Sequence, residues 1–332
     1  MSNGTPSAAE PPTEQGELTI TVIVPTLMRP KALVACLDGL SAQTRPADEI
    51  IVVVREDDET TRQTVENWSA SHPGVGKRMR MVFVSCPGQI PAMNAGLAAS
   101  QSSIVCFTDD DCVPRPDWLK RLASHYADAR VGGAGGRDLI HRDDGVVDGE
   151  VRIVGKYSWF GRPIGNHHLS LVPTAPVECD ILKGANMSFR RTLLMNGFDQ
   201  ALQIGAAQCN DMDVCLAVRR LGYRLIYDPL AIVDHYPAER FGEATRAYGA
   251  APMLFAEGHN WAYVALKHAR VWQVPIILTY GFLIGHARAY GLLRALVALR
   301  EHPPTEVARR LWHSWRGKVA AIATLLRRRR GR

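Results

Sequence analysis

Apolar and polar positions alternate in blocks along the first third of the chain. Leu18 to Pro25 (LTITVIVP) is a β-branched apolar run closed by proline, which predicts a buried strand. Arg29 to Leu40 switches to helical spacing, with Leu33, Leu37 and Leu40 on one face. Glu49 to Val54 predicts a second buried strand, Asp58 to Ser71 a polar helix, and Met81 to Cys86 a third strand. Pro91 to Ala99 predicts a short helix of small residues and Ser103 to Thr108 a fourth strand. This alternation with short connections predicts an α/β fold, a mostly parallel, Rossmann-like central sheet with helices on both faces. Ligands of such sheets bind beyond the carboxyl ends of the strands, here just after Pro25, Val54, Cys86 and Thr108.

The pattern then weakens. Gly132 to Pro176 is rich in Gly, His and charge and reads as strand fragments and long loops. Order returns at Ile181 to Arg190, followed by a helix over Asp211 to Leu221 and strands over Arg224 to Tyr227 and Ala231 to His235. From Glu239 onwards everything reads as helical. Met1 to Glu17 is rich in Pro, Ser, Thr and Glu without an apolar core, so it predicts a disordered tail and not a signal peptide. Val271 to Leu299 is apolar but broken by His286, Arg288 and Arg294, so no run of about 18 or more apolar residues predicts a membrane span.

Charge sharpens this division. The net charge of +6 is concentrated at the C-terminus, because residues 300–332 hold ten of the 39 basic residues and two of the 33 acids. The seven cysteines lack CxxC spacing and read as reduced, mostly buried thiols of a cytosolic chain, with no zinc-ligand pattern.

The first candidate chemistry is Asp109, Asp110 and Asp111, directly after the fourth strand. Three adjacent carboxylates repel one another, and a hard divalent cation is the simplest stabiliser. In an extended segment residues i and i+2 point the same way, which would put Asp109 and Asp111 on one side. The alternative is a solvated turn of helix-capping acids before Pro114.

With this cluster placed, the chain resembles a family 2 glycosyltransferase. Val22 to Pro30 (VIVPTLMRP) is similar to that family's opening strand and nucleotide loop, and Pro91 to Leu97 (PAMNAGL) to its "ARNxGL" segment. Phe107 to Leu119 (FTDDDCVPRPDWL) resembles its aspartate motif, Lys183 to Phe198 (KGANMSFRRTLLMNGF) its "GANMAFRR" segment, and Asn210 to Pro229 (NDMDVCLAVRRLGYRLIYDP) its "EDTDLCLRLRRAGYRIVYDP" segment. The matches run in the family's order over residues 18–237, followed by a helical, basic extension over residues 238–332.

The resemblance implies the GT-A nucleotide-diphospho-sugar transferase fold. It also implies metal-assisted transfer of a sugar, one per encounter, with Mg²⁺ or Mn²⁺ on the donor diphosphate. Asp109 and Asp111 would hold the metal, joined by His235, and Asp110 would lie near the ribose. Pro25, Thr26 and Arg29 would border the nucleotide, and Asn94 stands on that side too. Asp211 occupies the position of the catalytic base, and Gly132 to Pro176 that of the acceptor loops. The usual "VVDDGS" is replaced by Val53 to Thr60 (VVREDDET), which moves the base-contacting acid to Asp57 or Asp58. Each role has a plainer alternative: Asp211 as a helix cap, His235 as a structural histidine, Asn94 as a loop tie.

Two rivals define the limits of this reading. A nucleotidyltransferase would need a phosphate-binding loop after the first strand, and Thr26 to Lys31 has no glycine. A non-catalytic sugar- or nucleotide-binding scaffold would have no use for Asp111 and Asp211 together. The C-terminal segment combines Arg327 to Arg330, Trp312, Trp315 and an apolar stripe of Val319, Ile322, Leu325 and Leu326. That composition suits a helix lying on anionic lipid at the cytoplasmic face of the membrane, with a glycan or lipid-linked acceptor. Nucleic acid is not expected, because no nucleic-acid-binding module accompanies the basic tail.

Overall fold

The computed structural model describes residues 18–205, 207–237 and 250–330. The tail expected at Met1 to Glu17 lies outside them, as do the first residues of the segment read as helical from Glu239.

The N-terminal half is the predicted alternation: β1 (Ile20–Pro25), α1 (Pro30–Ser41), β2 (Glu49–Arg55), α2 (Glu59–Ser71), β3 (Met79–Val84), α3 (Gln89–Ala99) and β4 (Ile104–Phe107). These four strands are parallel, in the order β3-β2-β1-β4. Successive residues serve opposite faces: Ile23, Ile51 and Val53 join the core under α3, while Val22, Val24 and Val52 join the core under α1. Both faces are covered, which is why these strands read as continuous apolar runs.

The chain continues through β5 (Cys112–Pro114), α4 (Trp118–His125), β6 (Val131–Arg142), β7 (Val177–Cys179), β8 (Met187–Arg190), α5 (Asn210–Arg220) and β9 (Arg224–His235). Here the sheet becomes mixed. β8 runs antiparallel between β4 and β6, β6 and β9 are parallel, β7 lies antiparallel on β9, and β5 pairs with the end of β9.

Two expectations change. The loop-like start of Gly132 to Pro176 is the twelve-residue strand β6, in the middle of the sheet. Its glycines are there for close approach: a methyl on Gly135 would collide with the Asn186 carbonyl and one on Gly136 with the Ala231 carbonyl. The two strands expected over Arg224 to His235 are one strand, with a register irregularity between Asp228 and Ile232.

The C-terminal segment holds α6 (Ala251–His268), α7 (Val274–Thr279), α8 (Leu292–Ala298) and α9 (Pro304–Arg330). It is not helical throughout. A π-turn at Tyr280–Ile284 leads into a hairpin whose strands are Gly285–His286 and Ala289–Tyr290. α9 packs along α6, with Gly317 against the Phe255 carbonyl and Gly258 against Ser314. α6 in turn docks on the α/β part: Trp261 Nε1 donates to the Gly161 carbonyl (2.8 Å) and Asn260 Nδ2 to the Leu202 carbonyl (3.1 Å). The apolar stripe expected on one face of α9 is split. Ile322 and Leu325 turn inward to the core, Trp315 meets Phe282 edge-on, and Trp312, Val319 and Leu326 remain exposed. Among the described residues no helix is long and apolar enough to cross a membrane.

Candidate functional site

The carboxyl ends of β1 and β4 meet the end of β9, and the acidic triplet lies at that junction. The chain turns at Asp110 and Asp111, with the Asp109 carbonyl accepting from Cys112 N (3.2 Å). A turn replaces the extended segment expected there. Asp110 and Asp111 are buried at this turn, while Asp109 is half-buried. Arg29, the residue that precedes α1, reaches Asp110 Oδ1 at 2.7 Å and Asp111 Oδ2 at 3.4 Å. Burial pushes the Asp110 carboxyl up to about 6, against the pull of Arg29 and with the help of Asp111.

The loop after β1 is held in an unusual shape. Thr26 N donates to the Val53 carbonyl (3.0 Å), just past Pro25. Met28 is left-handed (φ 53°), and its N–H donates to Asp58 Oδ2 (2.5 Å). Asp58 also caps α2, accepting from Thr61 N (3.1 Å) and Thr61 Oγ1 (2.6 Å). Pro25, Thr26, Arg29 and Asp58 thus form one wall beside the triplet. Asp57 instead pairs with Arg55 at the surface, which holds its carboxyl below the usual range.

β9 supplies the opposite wall. His235 is buried at its end, and the next backbone N–H, of Tyr236, donates to the Asp111 carbonyl (2.9 Å). His235 Nδ1 lies 2.7 Å from Asp138 Oδ1, and Nε2 lies 3.4 Å from Asp111 Oδ1. The tautomer that gives Nδ1–H to Asp138 would leave a lone pair on Nε2 facing Asp111, an arrangement that a cation between them would complete. Among the described residues His235 Nε2, although buried, has no hydrogen-bond partner. With Asp111 Oδ1 it fits a divalent cation. The Cys112 sulfur lies within 4.8 Å of the ligand atoms of Asp111 and His235, and burial with the neighbouring carboxylates pushes its thiol up; hard Mn²⁺ or Mg²⁺ favours the carboxylate over it.

Asp211 is joined to this corner through one turn. Lys183 Nζ pairs with Asp138 Oδ2, and Gly184 N donates to Asp211 Oδ2 (3.3 Å). Asp211 is the second residue of α5, and the residue before the helix is Cys209, left-handed at φ 68°. Asp211 is therefore not the helix cap. The next acid, Asp213, is taken up by Lys267 (2.8 Å) and His268 (2.8 Å). Of the four non-glycine residues with positive φ among the described residues, Met28, Ala207 and Cys209 flank the two site loops, each strained by about 1–3 kcal/mol.

Asn94 stands apart from the corner. Its amide bridges both backbone groups of Phe198, Nδ2 to the carbonyl at 2.9 Å and Oδ1 from N at 2.7 Å. Asp138 and Lys183 were not singled out from the sequence. Lys183 opens the segment that resembles the family's "GANMAFRR" motif, and Asp138 lies in the stretch read as strand fragments and long loops.

The family model described as "Glycosyltransferase like family 2" matches residues 17–250. The pre-mycofactocin glycosyltransferase of Mycobacterium tuberculosis is 28% identical over 203 residues, 59% of this chain and 39% of that protein. The chain thus spans about two fifths of that relative's length. Among solved structures, the mannosyltransferase PcManGT of Pyrobaculum calidifontis, in complex with GDP-Man and Mn²⁺, superposes at a TM-score of 0.55. It is 21% identical, over 93% of this chain and 87% of that one. GalNAc-T7 with UDP, GalNAc and Mn²⁺ superposes at 0.57 with 15% identity, over 76% of this chain and 48% of that one. At these identities the structural likeness speaks to the GT-A fold.

Proposed function

We propose, from the premise that this chain belongs to glycosyltransferase family 2, that it transfers a glycosyl group from a nucleotide-diphospho-sugar to an acceptor hydroxyl with inversion, one sugar per encounter. The observation that carries this reading is the Asp111–His235 pair, whose buried Nε2 faces a carboxylate, joined through the Lys183–Gly184 turn to Asp211. Mn²⁺ in two solved relatives of the same fold supports a divalent cation here, Mn²⁺ or Mg²⁺.

Asp111 and His235, with Asp109 at the rim, would hold that cation, and it would neutralise the diphosphate as it leaves. Pro25, Thr26 and Arg29 border the nucleotide, Asp58 fixes their loop, and Asp110 lies toward the ribose. Asn94, a nucleotide-side candidate, ties the backbone of Phe198, whose ring meets Phe107 of β4 edge-on. Asp211 accepts the proton of the acceptor hydroxyl as its oxygen bonds to the anomeric carbon. The bond from that carbon to the diphosphate oxygen breaks with its electron pair on the oxygen. Attack from the face opposite the leaving group inverts the configuration.

The acceptor is a glycan or lipid-linked molecule used in cell-envelope or glycolipid synthesis, met at an anionic membrane surface on the cytoplasmic side. Exposed Val271, Trp272, Leu293, Leu296, Trp312 and Val319, with Arg270, Arg316 and Arg327 nearby, support contact with such a surface. Binding to anionic but not zwitterionic vesicles is the expected result, and binding to neither, or equally to both, sinks it.

Thermal shifts with a panel of nucleotide sugars, with and without Mn²⁺, test the main reading. A cognate donor at about a hundred times its Kd adds roughly 2.7 kcal/mol of stability, and only with the ion present. A panel that gives no ion-dependent shift and no sugar transfer overturns it.

A further inference from the structure

Asp138 is a fully buried carboxylate in the middle of the central sheet. A buried charge persists only when its oxygens are paired. Oδ1 takes His235 Nδ1 at 2.7 Å and Oδ2 takes Lys183 Nζ. The backbone leaves it little freedom: its N–H donates to the His167 carbonyl (3.0 Å), and it pairs in register with Val233, two residues before His235.

Lys183 opens a tight turn that closes with Asn186 N donating to the Lys183 carbonyl (2.9 Å). Buried Asn186 anchors the far end, giving Nδ2 to the Arg137 (3.1 Å) and Ala231 (2.8 Å) carbonyls and accepting from Trp118 Nε1 (2.8 Å). Gly184, between these two fixed ends, is the residue whose N–H meets Asp211. One carboxylate is thus bonded both to the histidine beside Asp111 and to the turn beside Asp211.

We propose that Asp138 is a positioning residue that sets both halves of the reaction centre. Its Oδ1 fixes the His235 ring with Nε2 toward Asp111, and its Oδ2 pins Lys183 so that the Gly184 N–H holds the Asp211 carboxylate in place. This inference rests on the glycosyltransferase reading. Asp138→Asn keeps an acceptor for His235 Nδ1–H but turns an amide toward the Lys183 ammonium, so the pair is broken at one end and weakened at the other. Lys183→Met removes the ammonium that pairs with Asp138 Oδ2 and leaves the Asp138–His235 bond in place.

The test is calorimetric titration of Mn²⁺ into full-length protein holding UDP or GDP, whichever wild type binds, beside steady-state transfer at saturating Mn²⁺. Asp138→Asn should weaken Mn²⁺ by about 10–100-fold. Lys183→Met should leave Mn²⁺ affinity within about threefold and lower kcat about tenfold with donor KM unchanged, and Lys183→Arg should recover most of that loss. Folded variants that bind Mn²⁺ and turn over like wild type overturn the inference while leaving the glycosyltransferase reading intact. If Asp138→Asn does not fold, the kcat-against-KM split of Lys183→Met decides. A wild type that binds no Mn²⁺ with either nucleotide overturns both.

Discussion

Replacing Arg29 with Met would leave Asp110 and Asp111 without the guanidinium they share. The side chains of these two acids are 4% and 1% exposed and that of Arg29 13%, so water cannot take its place. Removing one partner of a buried pair destabilises by about 3–5 kcal/mol. At roughly 2–4 °C per kcal/mol for a chain of this order, the melting temperature should fall by about 6–20 °C.

Protonation limits the loss and gives it a pH signature. Burial already raises Asp110 to about 6 with Arg29 present, and without Arg29 it rises further. An acid whose folded pKa is raised stabilises fully below its unfolded value and loses that contribution as pH climbs through the folded one. In chelator, the variant should therefore trail wild type more at pH 8 than at pH 5.5. Mn²⁺ at pH 8 should then raise the melting temperature of the variant more than that of wild type, because the ion replaces the missing charge. Scanning calorimetry in both buffers decides. A loss independent of pH, or equal Mn²⁺ shifts, would refute the reasoning.

Other expectations are more local. Lys318 is buried in α9 and donates to the Gly281 (2.6 Å) and Tyr290 (2.5 Å) carbonyls, and burial pushes it down to about 7. Above that pH the unfolded chain binds the extra proton, so wild type should gain about 1.4 kcal/mol per pH unit over Lys318→Met between pH 7 and 9; parallel denaturation curves would contradict this. Met28→Gly relieves a left-handed residue with an exposed side chain and should raise stability by about 1 kcal/mol, read as a higher urea midpoint. Asp58→Ala removes the α2 cap and the tie to Met28 N, and should lower stability by about 1–3 kcal/mol in the same assay.

The parallel half of the sheet was legible because both of its faces are buried. Runs such as Glu49 to Val54 have no other use, and the helices between them keep one apolar side. β6 was not legible: Gly132, Gly133, Gly135 and Gly136 look like loop residues in one dimension and are explained only by the carbonyls and side chains pressed against them. The same holds for Asp138 and Lys183, whose partners lie 97 and 45 residues away from Asp138 along the chain. The acidic triplet and His235 were legible as separate signals, each at a strand end. That Asp110 and Asp111 share Arg29 follows from the turn at that point, which the sequence pattern does not show. On α9 the sequence shows an apolar stripe but not that Ile322 and Leu325 are used up by α6 and the sheet's core.

The central claim is that Asp211 takes the acceptor's proton beside a separately bound nucleotide-diphospho-sugar. Asp211→Asn, assayed for donor binding by calorimetry and for transfer under single-turnover conditions, tests it most directly. The account predicts donor affinity within about twofold of wild type and transfer slowed by at least about a hundredfold. Transfer at the wild-type rate, with the donor bound normally, would contradict it.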